Sequence, residues 1–325
     1  MTRLPVLMKK LSLSYPQMKR ASTLLALAQS EFEAATHLVD KGLYKECMVH
    51  LYFTCFYASQ ALLIQTIRTN PSHQYLESEL HRVYGRSTDF PRKYVRVHSD
   101  LHRLRTEYDY RNTYSPDPEE TAKDLKRLGL YLRFALRNVP KLETIDILKG
   151  LCSDHKKLIK DLSYDVYCPK TYSHHARITF WQPPFYLDIF QPKKIGVQAR
   201  KMLKKLRVKN SDNYVVGLNS RLNQYSDCHL ILLDIDALNP AVEKALGKYG
   251  GILLKSGRGF HFIGKKIVSG EDEWRKTYKR IARDKVLKKH IDKTHIDISL
   301  MRGYATLRVT ASAVKPNVPF FYKEL

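Results

Sequence analysis

His229-Leu230-Ile231-Leu232-Leu233-Asp234-Ile235-Asp236 is an apolar run that ends abruptly on two carboxylates. A run this short and this continuously apolar reads as a buried strand. Side chains two apart on a strand share a face, so Asp234 and Asp236 can approach one divalent cation while Ile235 points into the fold. Two neighbouring carboxylates repel each other, and an ion between them removes that repulsion. Taken alone, the pair could equally face solvent or cap a helix.

Working outward from that strand, the C-terminal half alternates strands and helices. Upstream lie the strands Arg177-Ile178-Thr179-Phe180-Trp181 and Tyr214-Val215-Val216-Gly217-Leu218, separated by a basic helix from Gln198 to Arg207. Downstream, Tyr249-Gly250-Gly251-Ile252-Leu253-Leu254-Lys255 makes a turn and a strand, and Ser256-Gly257-Arg258-Gly259-Phe260-His261 bends into the next one. Glycines on both sides of Arg258 permit a tight bend with N–H groups turned toward an anion, and Arg258 adds a fork of donors. A plain glycine hairpin with a satisfied histidine fits the same letters. After a basic helix over Trp274–Lys289 comes His295-Ile296-Asp297-Ile298, a carboxylate read as lying near the start of a strand system that carries Arg302, Arg308 and Lys315. Asp297 alone could also be a loop or capping residue.

The N-terminal half is helical throughout. Ser14-Tyr15-Pro16 marks a helix start before Leu24, Leu27, Ala28, Phe32, Ala35 and Leu38, which recur at three-to-four spacing. After the turn Asp40-Lys41-Gly42, a mostly apolar helix runs from Tyr44 to Thr66. A helix or a loop is expected over Leu76–Tyr84, and further helices over Tyr94–Tyr110 and after Ser115-Pro116-Asp117-Pro118. The boundaries expected are a helical bundle over 1–149, a linker over 150–174 and an α/β domain over 175–325.

Charge narrows the partners. Across 325 residues, 56 Lys and Arg face 32 Asp and Glu, a formal charge of +24, so a polyanion is the favoured partner. No run approaches a membrane span and the N-terminus lacks a secretory cleavage pattern, which points to the cytoplasm and away from a membrane. Five cysteines suit a reducing compartment. Cys152, His155, Cys168 and His174 offer two sulfurs and two imidazoles for a structural Zn²⁺, but tight knuckles on both ligand pairs are missing, and incidental Cys and His read better.

Two resemblances follow from these residues. Leu104-Arg105-Thr106-Glu107-Tyr108-Asp109-Tyr110-Arg111, with Cys55-Phe56-Tyr57-Ala58-Ser59-Gln60-Ala61-Leu62-Leu63, resembles the higher-eukaryote and prokaryote nucleotide-binding (HEPN) family of four-to-five-helix domains. These are often dimeric, and some cleave RNA. Their ribonuclease members follow an arginine and a polar residue with a histidine, whereas Arg111-Asn112 runs on to Pro116 and Asp117 without one. That implies a non-catalytic module for a homodimer or a partner protein, with ribonuclease action as an alternative.

In the C-terminal half, the acidic pair, the serine-to-histidine turn and the late aspartate occur in the order found in the archaeo-eukaryotic primase and primase-polymerase superfamily, which they resemble. The fold class implied is α+β: a helical bundle followed by a core related to the RNA-recognition motif. The resemblance assigns Asp234, Asp236 and Asp297 to Mg²⁺ or Mn²⁺ and to catalysis. It assigns Ser256, Arg258 and His261 to the nucleoside triphosphate, and Arg302, Arg308 and Lys315 to phosphates or template. It implies metal-dependent, template-directed nucleotidyl transfer on single-stranded or primed nucleic acid. A nucleic-acid-binding or nucleotide-binding regulator without catalysis is the other class.

Overall fold

Pro16 near the start of the first helix lacks an N–H that would be unpaired there anyway, and Ser14 with Gln17 closes a capping box around that end. This helix, α1 (Tyr15–Asp40), turns through Gly42 at φ 73° into α2 (Tyr44–Leu62). Then come α3 (His73–Tyr84), α4 (Arg92–Thr106) and α5 (Pro118–Asn138), the last capped by Asp117 accepting from Glu120 N–H at 2.8 Å. A computed structural model describes residues 13–64, 71–84, 92–107, 116–144, 146–147, 163–169, 177–181, 192–205, 207–222, 228–313 and 315–325. They fall into two compact units, Met1–Lys141 and Leu142–Leu325.

In the first unit the apolar periodicity becomes a buried core of Leu25, Leu51, Tyr52, Leu128 and Leu132. The small residue Ser59 lets α2 approach α5 closely enough for its hydroxyl to meet the Tyr131 hydroxyl at 2.7 Å. Four of these helices match expected helical stretches, with ends shifted by a few residues, and α3 takes the helical of the two forms open to Leu76–Tyr84.

The second unit contains two open antiparallel sheets. One has the order β2-β1-β3-β9, from β1 (Ser163–Tyr167), β2 (Arg177–Trp181), β3 (Val215–Asn219) and β9 (Thr306–Arg308). The other has the order β10-β6-β7-β5, from β5 (Leu232–Ile235), β6 (Gly251–Ser256), β7 (Gly259–Gly264) and β10 (Phe320–Glu324). A short pair joins β4 (Cys228–His229) to β8 (Val268–Ser269). Helices α6 (Pro192–Lys205), α7 (Pro240–Gly247), α8 (Glu271–Arg283) and α9 (Lys293–Arg302) complete it.

Two features depart from the expected linker and strand system. β1 lies inside 150–174, where polar and tyrosine-rich letters hid a strand. Its buried Asp165 and Ser163 are satisfied by Asn219 Nδ2, which donates to Asp165 Oδ1 at 2.9 Å and Ser163 Oγ at 3.1 Å. His295 to Ile298, read as near a strand, belongs to α9, which Asp292 caps by accepting from Thr294 and His295 N–H.

Helix α8 buries its apolar face of Trp274, Tyr278 and Ile281, with Trp274 stacked on His229 of β4 and Tyr278 reaching β5. Tyr278 donates its hydroxyl to Leu232 O and accepts from Leu232 N–H at 3.0 Å, so one side chain satisfies both backbone groups of a strand residue.

Candidate active site

Antiparallel pairing sets Asp234 on β5 opposite His261 on β7, and His261 opposite Leu254 on β6. Ser256, two residues beyond Leu254, therefore shares the face of His261 and Asp234. The side chains meet accordingly. Ser256 Oγ lies 2.8 Å from His261 Nε2, which is 4.0 Å from Asp234 Oδ1. From β9, in the other sheet, Arg308 donates to Ser256 Oγ at 3.2 Å. A polar chain Arg308–Ser256–His261–Asp234 thus crosses from one sheet to the other.

The exposures along the chain differ. His261 is almost fully buried, while the Asp234 side chain is 40% exposed. Burial pushes His261 well below its ordinary value, and Arg308, His295 and Lys315 push the same way, so it is neutral at neutral pH. Its Nδ1 is buried with no hydrogen-bond partner among the described residues.

The loop Gly257-Arg258 joins Ser256 to Gly259 with Gly257 at φ 78°, which a two-residue hairpin of this hand requires. Arg258 stands exposed at its tip. Gly259 is needed for a different reason: a Cβ there would lie 2.5 Å from Ile235 O on the neighbouring strand.

The end of β5 gains a partner that the sequence did not reveal. Ile235 bridges Ile291, Asp236 N–H donates to His290 O at 2.8 Å, and Asp292 N–H donates to Asp234 O at 3.0 Å. This seats the Asp292 carboxylate beside the acidic pair. Burial and then Asp292 raise Asp236; burial raises Asp234, with Asp292 and Asp236 adding to it and His295 and Lys315 opposing. His295 is held close by its Nε2, 3.0 Å from Leu232 O. Asp297 lies five residues past Asp292, about 140° further round the helix and about 7.5 Å along it, with its side chain exposed.

The letters held a signal for this, because His-Ile-Asp occurs twice, at His290-Ile291-Asp292 and at His295-Ile296-Asp297. The first copy pairs with β5; the second is helical.

The remaining basic candidates differ in placement. Lys315 is exposed within electrostatic reach of Asp234 and His261. Arg302 ends α9, where Gly303 closes the helix at φ 82°. Arg308 is buried and donates to Thr310 O at 2.8 Å, to Asn317 O and to Ser256, which makes it a positioning residue for Ser256. Arg308→Met should leave the buried Thr310 carbonyl unsatisfied and destabilise the unit by about 1–3 kcal/mol. A urea melt would measure it, and an unchanged midpoint would show that Arg308 is not held as described.

As to a metal, the carboxylates of Asp234, Asp236 and Asp292 are hard oxygen donors suited in kind to Mg²⁺ or Mn²⁺. Among the described residues, no three His, Cys, Asp or Glu side chains already converge on one point. Of the zinc candidates, Cys152, His155 and His174 lie outside the described residues, as do Arg111 and Asn112 of the helical unit. No helix among the described residues is long and apolar enough to cross a membrane.

Two family models match the chain. Residues 21–137 match the HEPN domain model, and residues 198–319 match the model described as archaeo-eukaryotic primase 1D-like. No curated protein matches the chain.

Proposed function

From a chain that fuses a HEPN domain to an archaeo-eukaryotic primase-like domain with open sheets, we propose metal-dependent, template-directed nucleotidyl transfer in the second domain. The observation that carries it is Asp234 on β5 facing the Ser256–His261 pair of β6 and β7, with Asp236 at the end of β5 and the backbone of Asp292 bonded to Asp234.

Asp234, Asp236 and Asp292 would hold Mg²⁺ or Mn²⁺, with Asp292 in the place the sequence reading gave to Asp297. When bound, the metal neutralises charge on the reacting phosphate and the departing pyrophosphate. The chain's own groups do the positioning. Buried and uncharged, His261 has one nitrogen engaged by Ser256 and presents its imidazole as a hydrogen-bonding group, not as a fixed cation. Ser256, oriented by Arg308, faces the same side as the acids and can donate to a phosphate oxygen. Arg258 at the exposed hairpin tip and Lys315 supply positive charge on the approach. The HEPN domain, without a histidine after Arg111-Asn112, would serve for self-association or docking of a partner protein.

Incorporation of nucleotides by the full chain on a single-stranded or primed template, with Mg²⁺ and with Mn²⁺, tests this. Activity should appear and vanish in the Asp234→Ala/Asp236→Ala double variant while template binding persists. The acids do not yet converge on one point, which favours a second reading of binding without chemistry. Template binding with no incorporation under either metal would establish that reading and end the enzymatic one.

A further inference from the structure

The C-terminal end of α6 is closed at a cost. Arg207 N–H donates to Lys204 O at 3.0 Å and Val208 N–H to Leu203 O at 2.9 Å, the paired bonds of a Schellman motif. Such a motif needs a left-handed residue, usually glycine, and here Arg207 takes that position at φ 55°. An L side chain in that conformation strains the backbone. Arg207 is exposed, so its side chain gives no core packing in return.

A second cost falls on the same helix end. Lys201, Lys204, Lys205 and Lys209 are all exposed, and Lys201 is spaced three and four residues from Lys204 and Lys205, where like charges on a helix repel. From 192 to 211 the chain has eight Lys and Arg and no Asp or Glu to relieve them. The helix dipole favours a cation in the last turn, which Lys204 and Lys205 already provide. It does not explain a left-handed arginine after them.

We propose that the end of α6 is a grip for the phosphate backbone of a nucleic acid, with Arg207 as its central contact. Regularly spaced phosphates relieve the repulsion among the lysines, and a guanidinium fork takes one phosphate in a bidentate manner. Backbone strain concentrated on a charged, exposed side chain fits binding better than folding. The proposal rests on the reading above only in taking nucleic acid as the polyanion; it does not need the acidic site to be catalytic.

The test measures binding of a labelled single-stranded oligonucleotide to the full chain by anisotropy across a salt series, alongside thermal melts. Arg207→Gly should raise the Tm by about 2–4 °C, because the left-handed strain is gone. It should also weaken binding about fivefold at 0.1 M salt and flatten the slope of log K against log salt by about 0.7. Arg207→Lys should bind nearly as the parent does, and Lys204→Gln/Lys205→Gln should flatten the slope by about 1.4.

A more stable Arg207→Gly protein with unchanged affinity and slope would overturn the proposal. So would loss of binding to phosphatidylserine vesicles with oligonucleotide binding intact, which would assign the helix end to a membrane surface. Absent incorporation with the salt effects present would remove the enzymatic reading and leave the grip in place.

Discussion

Asp292→Ala should abolish metal-dependent incorporation, by roughly 10³-fold or more, as completely as Asp234→Ala, whereas Asp297→Ala should retain most of it. The size follows from losing a ligand to an ion that supplies several kcal/mol of charge stabilisation, each tenfold in rate corresponding to about 1.4 kcal/mol. The contrast follows from position. Asp292 is tied to β5 by its N–H on Asp234 O, while Asp297 is exposed a turn and more along α9. Because Asp292 also caps α9, alanine could act through helix loss alone. Asp292→Asn keeps a capping oxygen but removes the charge, so it separates the two causes: folded by circular dichroism yet inactive is the expected result. Full activity in Asp292→Asn, or inactivity in Asp297→Ala, would remove Asp292 from the site.

Gly259→Ala should lower the Tm of the second unit by roughly 3–10 °C, from an overpacking cost of about 1–3 kcal/mol, and should impair incorporation as well. The new Cβ would lie 2.5 Å from Ile235 O, a backbone atom that cannot rotate away, so β7 and β5 must separate locally. Ile235 lies between Asp234 and Asp236, so the same displacement reaches the acids. Gly257→Ala gives a useful contrast, because a Cβ there meets open space and only the φ of 78° resists it. Equal melting of Gly259→Ala and the parent, read by differential scanning calorimetry, would contradict the close approach of these strands.

The helical unit was the most legible part of the chain, because an apolar stripe recurring every three to four residues requires only local geometry to be read correctly. The β5 strand and the serine-to-histidine hairpin were legible as well, since glycines mark the bend and continuous apolar letters mark the strands. Asp292 was not. Choosing between two copies of His-Ile-Asp depends on which one pairs with the end of β5, a tertiary contact with no local trace. β1 escaped for the opposite reason: Ser163 and Asp165 look like loop residues until Asn219, 54 residues beyond Asp165, supplies their hydrogen bonds. Arg308, which the resemblance assigns to phosphates or template, is buried, because a cation with three acceptors around it can be enclosed.

β5 forms one margin of its sheet, yet its outward backbone groups are already engaged: Leu232 by Tyr278, Asp234 by Asp292 and Asp236 by His290. A margin closed in this way offers no template for a foreign strand. The acidic edge can therefore stay open to solvent without seeding aggregates between molecules.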